Sequence, residues 1–224
     1  AVGEGSNSIA YSYDGINWTG GYYQLIPISG VNGYGRAVDW NGYMFVVGGT
    51  GTNDNLCYSY DGVNWVGLGK PISQGIVFGI SWTGNMWIAV SSGNTPDAIK
   101  HTISYSYDGF VWYGLGNSIF STTAYGVAGN AGLGNVYIQH PTISVGEGTN
   151  SIAISTDGTR WRAVNNNIFS KGYDVAWNGT MWVAVGDGAD NTMAYSYDGI
   201  IWSGLGKNTF SIRGSGLAWN GTIW

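Results

Sequence analysis

YDVAWNGTMWVAVGDGADNTMAYSYDGIIWSGL (173–205) holds four short apolar runs separated by turn residues. The first two runs flank Asn178-Gly179, the dipeptide preferred in tight two-residue hairpins. A Gly/Asp/Asn loop precedes the third run, and Tyr197-Asp198-Gly199 turns the chain into the fourth. This order of runs and turns predicts four short antiparallel strands in about 33 residues.

One part of this stretch, SYDGIIW, recurs along the chain. The five copies are SYDGINW (12–18), SYDGVNW (59–65), SYDGFVW (106–112), STDGTRW (155–161) and SYDGIIW (196–202). Their aspartates are 47, 47, 49 and 41 residues apart, a spacing typical of a four-stranded propeller blade. The sequence therefore predicts an all-β fold, a five-bladed β-propeller with four antiparallel strands per blade.

The whole chain, residues 1–224, is predicted to form this single domain. Its blades are expected at approximately 217–224 plus 1–21 (blade 1), 34–68 (blade 2), 76–115 (blade 3), 124–165 (blade 4) and 173–205 (blade 5). Blade 1 is split because LAWNGTIW (217–224) matches the start of a blade and AVGEG (1–5) continues it. We therefore expect the two terminal segments to share blade 1 and close the ring, which would remove exposed sheet edges. Because the sequence opens in mid-pattern, we also expect it to be a processed, trimmed or partial chain.

The composition excludes several classes of protein. Charged residues make up 9% of the chain and the net charge is −5, with no basic cluster, which argues against a nucleic-acid partner. No apolar run reaches the length of a membrane span. The single cysteine, Cys57, excludes an internal disulfide and is expected to be a small buried side chain. We expect no cofactor and no metal, and a monomer by default.

The recurring S-x-D-G-x-x-W motif resembles the Asp-box, or BNR repeat, of sialidases and related propellers. That family has one more residue between Asp and Gly. The resemblance implies a structural turn between the third and fourth strands of each blade, and an Asp side chain can accept backbone N–H groups there. We therefore assign a structural role to the five aspartates and five tryptophans of the motif, namely Asp14, Asp61, Asp108, Asp157, Asp198, Trp18, Trp65, Trp112, Trp161 and Trp202.

Enzymatic activity is not predicted. The resemblance to sialidases would require three arginines around one carboxylate, yet Arg160 and Arg162 are both expected on an outer strand of blade 4. A glycosidase needs two carboxylates in unlike environments, and a repeated structure works against that asymmetry. Neither histidine, His101 or His140, has a partner at the spacing of a nucleophile or a zinc site. We therefore assign no catalytic residue.

Variation between the blades is concentrated in one set of loops. Turns after strands one and three are short and nearly invariant, whereas the loops after strands two and four differ in length and sequence. These variable loops are predicted to lie together on one face, here called the variable face. They are rich in Asn, Asp, Ser, Thr and Gly with occasional aromatics, a mixture that suits sugar hydroxyls and sugar C–H patches.

Two patterns on the variable face supply candidate ligand residues, the G-[ED]-G and Asn pattern and the [IT]-F-S pattern. The candidates are Glu4, Asn7, Glu147, Asn150, Asp187, Asn191, Phe120, Phe169 and Phe210. Each pattern is kept in three of the five blades. This predicts two or three binding sites and not five, unless the loops are simply good turn formers.

The predicted function is non-catalytic, lectin-like and multivalent carbohydrate binding through the variable face. The tachylectin-type lectins are similar in blade number and internal symmetry, although not in motif, and the similarity implies several weak and equivalent sugar sites. Two alternatives remain open: a structural or adhesive surface protein (virion, fibre or cell surface), and a protein-interaction scaffold or constructed repeat protein without a natural ligand. High Tyr, Trp and Asn with little Lys favours an extracellular or virion-surface location.

Overall fold

The computed structural model describes residues 1–5, 7–20, 33–93, 100–129, 140–164 and 168–224. Within these ranges the chain forms eighteen β-strands and no helix. Consequently, the described residues include no helix that could cross a bilayer. The structure is all-β, as the sequence predicted.

Blades 2 to 5 each contain four antiparallel strands in sequence order. In blades 2 and 3 the strands are β3 (Tyr34–Trp40), β4 (Phe45–Thr50), β5 (Leu56–Ser59), β6 (Val66–Gly67), β7 (Val77–Trp82), β8 (Trp87–Ser91), β9 (Ile103–Ser106) and β10 (Tyr113–Gly114). In blades 4 and 5 they are β11 (Thr123–Ala128), β12 (Thr142–Glu147), β13 (Ile152–Ser155), β14 (Arg162–Ala163), β15 (Lys171–Trp177), β16 (Trp182–Asp187), β17 (Met193–Ser196) and β18 (Ser203–Gly204).

The N-terminal segment that is predicted to form part of blade 1 contains two described strands. Strands β1 (Ala10–Tyr11) and β2 (Thr19–Gly20) pair with each other, and residues 1–3 lie beside 8–10. The Ala10 N–H donates to the Ala1 carbonyl at 2.9 Å, and the Gly3 N–H donates to the Ser8 carbonyl at 3.0 Å. These bonds place residues 1–3 where the second strand of a blade belongs.

The five S-x-D-G-x-x-W motifs fold into the same turn. In the last copy, Asp198 Oδ1 accepts the N–H groups of Ile200 and Ile201 at 2.7 and 2.8 Å. The Ser196 hydroxyl accepts the N–H of Gly199 at 2.8 Å, and Trp202 Nε1 donates to the Gly199 carbonyl at 3.1 Å. The glycine has a φ of 73° here and between 74° and 81° in the other copies, a conformation that glycine adopts without strain.

Acid is expected to weaken these turns. The bonded N–H groups lower the pKa of Asp198, and the N–H of Ile201 is the largest cause. A carboxylate with a lowered pKa stabilises the fold fully above its unfolded pKa, near ~3.9, and loses that contribution as pH falls through the folded value. The other four motif aspartates are shifted in the same direction.

The Asp198→Asn variant tests this pH dependence. Its amide oxygen can accept the same N–H groups but lacks the charge, so we expect a lower free energy of unfolding than the parent at pH 7. The difference should shrink towards zero at pH 2, where the parent carboxylate is protonated. Urea denaturation at both pH values measures it, with Asp190→Asn on an exposed loop as the control. An undiminished difference at pH 2 would show that the charge is not what the turn uses.

Four apolar cores lie between successive blades. Ile9, Val47, Cys57 and Trp65 form the core between blades 1 and 2, which confirms that Cys57 is buried. The other three cores each contain a motif tryptophan: Trp112 between blades 2 and 3, Trp161 between blades 3 and 4, and Trp202 between blades 4 and 5. Trp65, Trp112, Trp161 and Trp202 therefore each pack against the preceding blade.

The first strands of successive blades pack side by side and are joined by hydrogen bonds. Asp39 Oδ2 accepts the N–H of Trp82 at 2.7 Å. Asp174 Oδ2 accepts the N–H of Leu217 at 3.0 Å in the same way, although Leu217 lies outside any strand. Between blades 3 and 4 the Ser81 hydroxyl accepts the N–H of Gly129 at 3.0 Å. Burial raises the pKa of Asp39 and of Asp174.

The first-strand tryptophans stack within their own hairpins, and Trp177 also contacts the preceding blade. From the alternation of large and small residues along the first strands, each tryptophan is predicted to cover the small residues of its neighbour. Trp177 lies 4.7 Å from Trp182, and Trp82 lies 5.2 Å from Trp87, on the adjacent strand of the same blade. Trp177 also lies 4.7 Å from His140 of blade 4 and packs against the core between blades 4 and 5. Blade 4 has Gly129 at this position, where Thr83 of blade 3 comes so close that a Cβ would lie 2.8 Å from it. A tryptophan there would therefore collide with blade 3.

Residues 205–224 contain no strand. They form a turn in which Trp219 and Trp224 are 5.1 Å apart, but no strand pairing joins them to residues 1–5 or 7–20. Trp18 is 54% exposed, whereas Trp65, Trp112 and Trp202 are each 8% exposed. A fifth blade completed by both terminal segments therefore stays a prediction.

Candidate functional site

Every first strand of blades 2 to 5 contains a β-bulge. The register with the second strand shifts by one residue at Arg36, Phe78, Tyr125 and Tyr173, one in each blade. Such bulges re-aim a side chain and are frequent beside functional sites. Because each bulge lies at the start of its strand, just after a strand-four loop, all four are on the variable face. We call these four residues the bulge row.

The side chains of the bulge row contact one another in blade order. The Arg36 guanidinium carbon is 6.0 Å from the centre of the Phe78 ring. Phe78 meets Tyr125 edge to face at 5.0 Å, and Tyr125 lies 5.4 Å from Tyr173. Arg213 then lies over Tyr173 at 5.6 Å. The three aromatic side chains are half-buried, so each keeps part of its surface open to solvent.

A set of oxygen-bearing side chains occupies one equivalent backbone position in each repeat. At the end of each second strand, one backbone N–H bonds to the start of the third strand at 3.0 Å. The residues that follow this bond in blades 1 to 5 are Glu4, Thr50, Ser92, Glu147 and Asp187. We call these five residues the oxygen ring. Sequence analysis had identified Glu4, Glu147 and Asp187, but the letter pattern G-[ED]-G hid Thr50 and Ser92.

Glu147 connects the oxygen ring to the bulge row. Its carboxylate accepts a hydrogen bond from the Tyr125 hydroxyl at 3.0 Å and forms an ion pair with Lys171 of blade 5. Burial raises the pKa of Tyr125, and the bond to Glu147 adds to this shift. The same carboxylate raises the pKa of Lys171. The network fixes the orientation of Tyr125 and keeps its hydroxyl protonated at neutral pH.

The asparagines that were predicted as ligands use their side chains to bind backbone groups near the ends of strands. Asn191 Oδ1 accepts the N–H of Gly206 at 2.9 Å, as Asp54 does for Gly69 at 2.6 Å. Asn150 Nδ2 donates to the Ile119 carbonyl at 2.7 Å. In blade 1, Asn7 lies directly against Gly20. These side chains hold the loops of the variable face in place, and direct contact with a ligand stays a prediction.

The predicted phenylalanine ligands differ in exposure. Phe120 is fully buried and Phe169 is 6% exposed, both in cores between blades, whereas Phe210 is 42% exposed. Phe120 fills space against Gly146 of blade 4, where an added Cβ would lie 2.8 Å from its ring. Phe120 and Phe169 therefore shape the variable face from below, and only Phe210 of the three presents a large surface to solvent.

Among the described residues, no group of three or more His, Cys, Asp or Glu side chains could hold a metal ion. The groups that the described part of the variable face presents are aromatic rings, hydroxyls, carboxylates and two arginines. Sequence analysis missed the bulge row, and its trace in the sequence is an aromatic or arginine next to a glycine at the start of each first strand. These groups are suited to hydrogen bonding and stacking.

Comparisons with known proteins support the fold. The sequence matches no protein-family model and no curated protein. Among solved structures, one similar to this chain is described as YCF48 bound to D1 peptide, with 15% identity and a TM-score of 0.51. The match covers 79% of this chain and 56% of that chain, so this chain spans little more than half the length of that relative.

A second similar structure is the GH74 xyloglucanase from Xanthomonas campestris. It has 15% identity and a TM-score of 0.56, and the match covers 90% of this chain and 28% of that chain. Both structures are propeller folds, and at this level of identity the similarity concerns the fold alone. The chain therefore has a propeller fold of repeated β units.

Proposed function

We propose that this protein is a non-catalytic binding module that recognises carbohydrate through its variable face. The observation that supports this most directly is the bulge row, three half-buried aromatic side chains in continuous contact on one face. Aromatic faces stack on the C–H patches of pyranose rings, and polar groups beside them bond the hydroxyls and set orientation. The oxygen ring supplies such groups.

Hydrogen-bond chemistry favours sugar over an apolar ligand. The five members of the oxygen ring bear hydroxyl or carboxylate oxygens, which accept from sugar hydroxyls in fixed directions. Glu4 is exposed, and Thr50 and Asp187 are half-buried, so these three are accessible at the surface. Repetition of the position in every blade fits several weak sites whose combined avidity exceeds that of each alone.

The Tyr125–Glu147 pair favours binding over catalysis. A tyrosine nucleophile needs a lowered pKa or a base that removes its proton, but the pKa of Tyr125 is raised by burial and by its bond to Glu147. Lys171 neutralises the charge of Glu147, which weakens that carboxylate as a base. Arg160 and Arg162 lie on or beside the outer strand β14 of blade 4, away from the pair.

A glycan array with the folded protein tests the proposal, followed by affinity measurements on the best hit. We expect Tyr173→Ala to weaken binding at least tenfold, because it removes one of the stacking rings and the contact of that ring with Tyr125 in the bulge row. Tyr197→Ala is the matched control, since Tyr197 is 65% exposed on the turn after a third strand, on the opposite face. Equal loss in both variants, or no binding by folded protein at high density, would reject the proposal.

Peptide binding is the second candidate. One of the similar structures contains a bound peptide, and a peptide side chain could also stack on the bulge row. Selection from a random peptide library distinguishes the two functions. Peptides that depend on Tyr173, in the absence of any glycan hit, would favour an interaction scaffold over a lectin-like module.

A further inference from the structure

The outer edge of blade 4 contains two clefts that share Trp161. One, of about 280 Å³, is lined by Ile154, Ser155, Thr156, Asp157, Arg160, Trp161 and Arg162. The other, of about 210 Å³, is lined by Trp161 and Thr159 together with residues of blade 3 such as Leu115 and Ser118. Each is smaller than the pocket of a drug-sized ligand, ~300–1,000 Å³, and matches a ligand of one or two small rings.

Beside these clefts, blade 4 lacks a tyrosine that the other blades have. The residue before the motif aspartate is Tyr13, Tyr60, Tyr107 or Tyr197 in the other four blades, and Thr156 in blade 4. Each of those tyrosines packs edge to face on a third-strand tyrosine at 5.6–5.8 Å. Ile154 replaces that partner in blade 4, so the aromatic pair is absent there. Trp161 is half-buried.

The cleft beside Thr156 is also positively charged. Arg160 and Arg162 are two of the four arginines of the chain, and no other blade has a basic residue at either equivalent position. Both arginines line the same cleft as Trp161. The ion pair found within the described ranges joins Lys171 and Glu147, so neither arginine is neutralised by a carboxylate within them.

Asp157 lines the same cleft, but the negative charge of its carboxylate repels a bound anion less strongly than its position suggests. Its Oδ1 atom accepts the N–H groups of Thr159 and Arg160 at 2.8 and 2.7 Å. The N–H of Arg160 is the largest cause of its lowered pKa. The carboxylate is thus directed at the backbone of its own turn, while both arginines line the cleft.

We propose that this cleft binds an acidic saccharide, a pyranose that bears a carboxylate, at a site separate from the variable face. The sugar ring stacks on Trp161, and the carboxylate pairs with the planar guanidinium groups, which match carboxylate geometry. The Thr156 hydroxyl lies in the same cleft on an exposed residue and can bond a sugar hydroxyl. The inference rests on the proposed saccharide binding and adds a second site with its own ligand class.

Calorimetric titration with tri-galacturonic acid tests the site, with neutral galactotriose and triglutamate as comparison ligands. The Arg160→Gln/Arg162→Gln variant should weaken tri-galacturonic acid binding at least tenfold. Thr156→Tyr should do the same by restoring the tyrosine of the other blades and filling the cleft, a change the fold accepts in four blades. Lys70→Gln/Lys100→Gln removes the same charge outside the cleft and should leave the affinity unchanged.

Each outcome separates this site from the proposed function. Equal affinity for galactotriose or for triglutamate would overturn the acidic-saccharide assignment. If Tyr173→Ala abolishes tri-galacturonic acid binding and the cleft variants do not, the ligand occupies the bulge row, so the cleft is refuted while the proposed function stands. Absence of binding to any saccharide by folded parent protein would overturn both proposals.

Discussion

Replacement of Trp65 by alanine is expected to lower the free energy of unfolding by about 3–5 kcal/mol, the usual cost of removing a buried tryptophan. Trp65 is 8% exposed and packs against Ile9 and Val47 in the core between blades 1 and 2. The same replacement at Trp18 is expected to cost about 1 kcal/mol, because Trp18 is 54% exposed and surface substitutions have small effects. Urea denaturation of both variants measures the difference.

The two tryptophans form a matched pair. Both end an S-x-D-G-x-x-W motif, and both donate Nε1 to the carbonyl of the motif glycine at 3.1 Å. They differ in whether a preceding blade covers them. Equal losses in the two variants would contradict the exposed position of Trp18 and would support the predicted ring closure, with blade 5 packed over it. A Trp202→Ala variant, with the tryptophan 8% exposed, should match Trp65→Ala in either case.

The turns could be predicted from sequence because their chemistry is local. Asp198 accepts the N–H of Ile200, and Trp202 donates to the carbonyl of Gly199. All these partners lie within seven residues, so the motif alone specifies the turn. Asn178-Gly179 acts in the same way, with Asn178 Oδ1 accepting the N–H of Met181 at 2.8 Å. Each of these residues finds its partner without help from another blade.

The bulge row could not be predicted, because a bulge depends on how two strands pair. Gly172 pairs with Gly186 and Asp174 with Val185, which leaves Tyr173 unpaired. Nothing in KGYDVAW (171–177) alone requires that shift. Sequence analysis found only part of the oxygen ring for a related reason. Thr50 and Ser92 occupy the same backbone position as Glu147 but are different residue types, so only the strand register shows that they are equivalent.

Replacement of Phe120 by alanine should lower the free energy of unfolding by about 3–5 kcal/mol, whereas Phe210→Ala should cost about 1 kcal/mol. Sequence analysis grouped the two as ligand residues because both lie in an [IT]-F-S loop. Blade 4 covers Phe120, whose ring lies against Gly146 and Ala124. Phe210 is 42% exposed, because no described blade packs over the loop that follows blade 5.

Binding measurements separate structure from recognition at these positions. If Phe120 only supports the fold, Phe120→Leu, which keeps most of the apolar volume, should retain glycan affinity at a temperature where it is folded. Phe210→Ala should change affinity without a large change in stability if its exposed ring contacts a ligand. A stable Phe120→Ala would contradict the burial of that ring. The expected results would show that one repeat position has two roles, a core residue where the next blade covers it and a surface residue where none does.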